Sequence, residues 1–162
     1  MKNKLWAIPL GILVGLATYE SPAKAALLTS YQFNGRGNWS IDGVGSNNTP
    51  VGTLDVSLPN CPLILPNCLT VEAAFLYSSL YIPTTTPTVV LDGTTYDAND
   101  FVALGSFLNL AAYRADVTSQ VASKVGTGGG TFSFTVDSEN PNNFIDGEIL
   151  AVVYRSEERS VG

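Results

Sequence analysis

The groups in this chain that could do chemistry are carboxylates, amides and aromatic rings, because histidine is absent altogether. A Ser-His-Asp or Cys-His nucleophile system therefore cannot be built. Histidine-ligated zinc, copper, haem and non-haem iron sites are excluded with it. Cys61 and Cys68 are the only cysteines. Their spacing is not C-x-x-C and no other soft ligand accompanies them, so they read as a structural disulfide pinning the Pro-rich stretch between them. Hard oxygen ligands gather in two places: Asp92, Asp97, Asn99 and Asp100, then Asp137, Glu139, Asn142, Asn143, Asp146 and Glu148. Ca²⁺ takes such oxygens from loops. Asp and Asn are also what turns are made of, and the spacing matches no EF-hand. Solvated turns are the expectation.

Paired carboxylates could in principle cleave a glycoside, but the acid of such a pair needs burial to raise its pKa. Glu72, inside a largely apolar run, is the acid to examine, with Arg114 as its expected partner. No enzyme activity is expected. Trp39 with Tyr31, Tyr77, Tyr81 and Tyr96 could supply an aromatic platform for a sugar, although aromatics at alternating strand positions usually fill a core. Gly126-Thr127-Gly128-Gly129-Gly130 lacks the Lys-Ser/Thr of a P-loop and follows a helix instead of opening one, so it reads as a helix stop. No cofactor and no metal is expected.

Short β-prone runs between Gly, Pro, Asn and Asp clusters must position these groups. That pattern predicts an all-β antiparallel sandwich, jelly-roll-like, with one short helix. Strands are expected at Thr29–Phe33, Gly52–Ser57 and Leu69–Ile82, with a polar loop over Ser40–Pro50. Asp92-Gly93 between Val89-Val90-Leu91 and Thr94-Thr95-Tyr96 predicts a hairpin with a type I′ turn. Ala111–Val117 reads as a strand. Thr118–Val125 reads as the helix, with Val121 and Val125 on one side and Asp116 as its N-cap. Phe132–Val136 and Glu148–Arg155 complete the set, joined by a turn over Glu139–Asn143. The runs at Leu69–Ile82 and Glu148–Arg155 are apolar on both faces, which asks for two covering layers. The abrupt end after the last run reads as a shortened chain.

The first 25 residues have the form of a secretory signal peptide: Lys2 and Lys4, an apolar run from Leu5 to Ala17, then Ala23-Lys24-Ala25. Cleavage is expected between Ala25 and Ala26, leaving residues 26–162 as a single domain. The apolar run is too short to span a bilayer comfortably, so no membrane span is expected after cleavage. Cleavage would remove Lys2, Lys4 and Lys24 from 8 basic residues and Glu20 from 14 acidic ones, taking the formal net charge from −6 to −8. Such a surface argues against nucleic acid or anionic lipid as partner.

The segments Gly37–Gly45, Val71–Tyr77, Leu91–Tyr96, Tyr113–Val121 and Asp146–Tyr154 together resemble a group of exported bacterial β-sandwich proteins, many with a sorting tag of the PEP-CTERM type. The tag itself is missing here. The resemblance implies export and a sandwich, and no assigned activity. The expected role is a secreted, non-catalytic component of a cell surface or extracellular matrix. The alternative is a carbohydrate-binding module, calcium-stabilised, whose partner would be extracellular polysaccharide.

Overall fold

The computed structural model describes residues 31–46, 49–61, 67–81, 85–138 and 144–157. From Phe33 onward the chain forms one compact unit. The strands are β1 (Gly37–Gly45), β2 (Val51–Leu58), β3 (Leu69–Tyr81), β4 (Val89–Leu91), β5 (Thr94–Tyr96), β6 (Val102–Phe107), β7 (Leu110–Asp116), β8 (Gly130–Ser138) and β9 (Ile145–Ser156). One helix, α1 (Thr118–Val125), joins β7 to β8. The expected leader and the cleavage point at Ala25 and Ala26 lie outside the described residues, as do Ile82 and the turn at Glu139–Asn143.

Two antiparallel sheets face each other, one in the order β1-β9-β3-β7-β6 and the other in the order β2-β8-β4-β5. The pairings β1·β9, β2·β8, β3·β7 and β4·β5 are nested. They are what a ribbon folded back on itself and wrapped into a sandwich produces, the jelly-roll topology. β6 is one strand more than that wrap needs. It extends the larger sheet, pairing with β7 alone among the described strands.

The core follows from period-two alternation. Leu54, Val56 and Leu58 on β2 and Phe134 and Val136 on β8 point inward against Leu76 and Leu80 on β3 and Leu150 and Val152 on β9. All nine are buried. Burying each side chain of this size contributes about 1.5–3 kcal/mol. α1 adds Val121 and Val125 to the same core, one helical turn apart. Val117 occupies its N-cap position, while Asp116 accepts a hydrogen bond from Thr118 N at 2.9 Å from one residue further out. Thr118 also docks the helix onto the larger sheet, its Oγ1 accepting from Ala74 N at 2.9 Å.

The hairpin at Asp92-Gly93 has both central residues at positive φ, 46° and 79°, as a type I′ turn requires. Cys61 and Cys68 form a disulfide with Cα atoms 5.5 Å apart. Two expectations fail at the N-terminal end. Of the strand expected at Thr29–Phe33, Tyr31–Phe33 is irregular and Thr29 and Ser30 lie outside the described residues, and the supposed loop from Ser40 contains most of β1. The glycines misled because here they serve close packing, not turning. A Cβ on Gly37 would lie 2.1 Å from the Tyr154 carbonyl oxygen, and one on Gly43 would lie 3.2 Å from Ile149 Cγ1.

Candidate functional site

The larger sheet turns one face to the core and the other outward. Its cross-strand register defines what the outer face carries. Trp39 of β1 stands opposite Val153 of β9 and next to Ala73 of β3. The next row holds Ile41, Ala151, Phe75 and Asp116, and the one after it Gly43, Ile149, Tyr77, Arg114 and Val102. The face is apolar over most of its width. Trp39 is 65% exposed, Ile41 50% and Ile149 44%. These three adjoin because Gly43, opposite Ile149, contributes no side chain, and Ile149 Cγ1 packs 3.2 Å from the place of its missing Cβ.

The middle of the face is closed by its own groups. Arg114 lies over the Phe75 ring at 4.7 Å, and Tyr77 meets that ring edge-on at 6.5 Å. Phe75 is thereby almost fully buried although it points outward. A guanidinium over a ring face is attracted by the ring quadrupole. Arg114 is thus not the partner of Glu72. Glu72 pairs with Arg155 at 2.9 Å, beside the register shift between Val71 and Ala73.

The aromatic candidates do not converge. Tyr81 is exposed, but eight residues along β3 from the Trp39 row, a separation of about 25 Å. Tyr96 lies on the smaller sheet and donates to Gln120 Oε1 at 2.7 Å. Burial, then Asp100 and Asp116, push its pKa above the ordinary value. Tyr31 precedes the folded unit. Trp39 remains the one aromatic of the set that stands open on a sheet face with apolar neighbours. Its signal in the sequence was the alternation Trp39-Ser40-Ile41, which the surrounding glycines obscured.

The acidic clusters also disperse. Asp97 accepts from Asn99 N at 2.8 Å and Asn99 Nδ2 at 3.0 Å, while Asp100 Oδ2 accepts from Asp97 N at 3.0 Å. This is a self-satisfied turn. Asp92 instead binds Lys124 Nζ at 2.5 Å and accepts from Thr135 N at 2.8 Å. In the second cluster Glu139, Asn142 and Asn143 lie outside the described residues. Among the described residues, no group of three His, Cys, Asp or Glu side chains is placed to hold a metal ion.

Glu148 departs furthest from expectation. It is 1% exposed and lies between the sheets, at the end where β1 turns into β2. Ser138 Oγ donates to its Oε1 at 2.5 Å, and Ser46 Oγ donates to Oε2. The two hydroxyls are 3.0 Å apart. Ser78, opposite Glu148 in the β3–β9 register, is buried with its Oγ unpartnered. Burial drives the Glu148 pKa above its ordinary value; the serine bonds oppose this and the nearby Asp137 charge adds to it. The carboxyl group is a polar tie inside the sandwich.

No protein-family model matches the chain, and neither a curated protein nor a solved structure does. Among the described residues, no helix is long and apolar enough to cross a membrane.

Proposed function

We propose that this chain is an exported, non-catalytic module that contributes to a cell surface or extracellular matrix and makes its contacts through the outer face of the larger sheet. The observation that carries the reading is the exposed band of Trp39, Ile41 and Ile149 on paired strands β1 and β9. An exposed apolar patch on a sheet face is what interaction surfaces present. The leader-like first 25 residues and the disulfide support an oxidising location. The resemblance to exported sandwich proteins of the PEP-CTERM type belongs to the same proposal.

The test is fractionation of a producing bacterium with the wild-type protein and the Trp39→Ala/Ile41→Ser variant. The wild type should be found with the envelope or matrix, and the variant in the medium with an unchanged melting temperature. Wild-type protein confined to the cytosol, or equal retention of both, would reject the proposal. A second reading, binding to polysaccharide, is favoured by Trp39 alone, since a single open ring can stack on one sugar face. Pull-down on insoluble polysaccharides should then retain the wild type and lose Trp39→Ala.

A further inference from the structure

The edges of the two sheets are treated very differently. β1 and β2 edge the sheets on one side, and side chains of β1 cover amides of β2. Asp42 Oδ2 accepts from Asp55 N at 2.7 Å, and Ser40 Oγ accepts from Ser57 N at 3.0 Å. β5, on the other side of the smaller sheet, is only three residues long and runs into the Asp97–Asp100 turn. β6 has none of these protections. All six of its residues are exposed, and no described strand pairs with its outer side. From Phe101 to Tyr113 the sequence holds neither a charge nor a proline. Natural edge strands are usually blunted with such residues, because an open row of N–H and C=O groups is a template for another strand.

The hairpin that carries β6 is also costly by itself. Leu108 sits in its turn at a φ of 53° with its side chain 85% exposed, where Gly or Asn would be at ease. Phe107 beside it is 74% exposed. Gly105 and Ala112, small residues facing each other across β6 and β7, leave an open hollow of about 290 Å³ walled by Leu104, Phe107 and Leu110. An apolar side chain from outside would fill it.

We propose that the protein forms a two-fold dimer in which β6 of one copy pairs antiparallel with β6 of a second, joining the two larger sheets into one continuous sheet of ten strands. Charge restricts where a second copy can meet the first. Each copy carries a formal net charge of −6, or −8 without the expected leader, so two copies repel except where their surfaces are neutral, and β6–β7 supplies the neutral strip. An antiparallel strand pair about a two-fold axis is self-complementary, so one edge meets its own copy without a second specialised surface. The same negative charge disfavours an anionic lipid surface. The register shift between Ala103 and Gly105 limits how far the pairing runs and keeps the interface small. The dimer is accordingly weak and depends on concentration. Its formation does not depend on the proposed role of Trp39.

Sedimentation equilibrium of the purified protein over a range of concentrations tests this, with amide exchange to localise the contact. The expected result is a monomer–dimer equilibrium in which β6 amides gain protection as concentration rises. Leu104→Lys should weaken it at least about tenfold, because the two-fold axis brings each added charge in twice. Its melting temperature should not change, since Leu104 is exposed. Ser106→Lys, also at an exposed position, carries the test if Leu104→Lys folds poorly. A monomer at every concentration would overturn the proposal. So would a dimer indifferent to both lysines, association continuing past two copies, or a solution monomer that co-floats with neutral phosphatidylcholine vesicles.

Discussion

Replacing Glu148 with glutamine should flatten the pH dependence of stability that the buried carboxyl imposes. Burial is the dominant cause holding its pKa above the ordinary 4.5. The folded state therefore binds this proton more tightly than the unfolded chain does. Below about pH 4.5 both states are protonated, and the contribution of Glu148 to stability is fully present. As pH rises the unfolded chain ionises first. Stability then falls by up to about 1.4 kcal/mol per pH unit, until the folded carboxyl ionises as well and the loss is complete. Glutamine has nearly the same shape. Its amide oxygen can accept from one serine and its NH₂ can donate to the other, so both links to Ser46 and Ser138 have a replacement. At acid pH the variant should match the wild type within about 1 kcal/mol, and it should become relatively more stable toward neutrality. Glu148→Ala, by contrast, leaves a cavity and two hydroxyls without their acceptor, and should cost about 2–4 kcal/mol at acid pH, less toward neutrality as the wild type loses the carboxyl's contribution. The assay is urea unfolding followed by circular dichroism, in steps from acid to neutral pH. Wild-type and glutamine stabilities running parallel through the whole range would refute the reasoning. So would a wild type that gains on the variant as pH rises.

Reduction of Cys61–Cys68, or Cys61→Ser, should destabilise by about 2.5 kcal/mol, the chain-entropy value for so short a loop, read from unfolding with and without reductant. Gly93→Ala should cost about 1 kcal/mol in the same unfolding measurement, purely through its φ of 79°, because nothing lies within 4 Å of the added methyl group. EDTA should leave the melting temperature unchanged, since Asp92, Asp97 and Asp100 already accept hydrogen bonds from the protein's own donors. A drop in the midpoint on chelation would contradict that account.

The sandwich was legible wherever local chemistry and burial agreed. Asp92-Gly93 announced its turn because few other pairs tolerate positive φ twice. Phe132, Phe134 and Val136 announced a one-sided strand by alternation. β6 escaped notice because its turn is made by Leu108, a residue whose preferences argue against the conformation it holds. β1 escaped because its glycines answer to neighbours distant in sequence, Tyr154 and Ile149, which no local pattern records. Glu148 was grouped with turn acids for the same reason. What distinguishes it from Asp146, two positions earlier, is the pair of serines that fold it inward from β8 and the end of β1. The two apolar faces of the Leu69–Tyr81 run were legible, but their cover was not. Only the register shows Arg114 lying across Phe75 on the outer side.

The nine-pair ladder between β1 and β9 sets Gly37 opposite Arg155 and Gly45 opposite Gly147. The first strand therefore begins where the last one ends, and both ends of the folded unit leave from the same corner. Tension applied across those ends would peel the ladder open one rung at a time, loading each hydrogen bond singly instead of all in shear. A module pulled in this way yields at low force, as an extensible link and not as a rigid rivet.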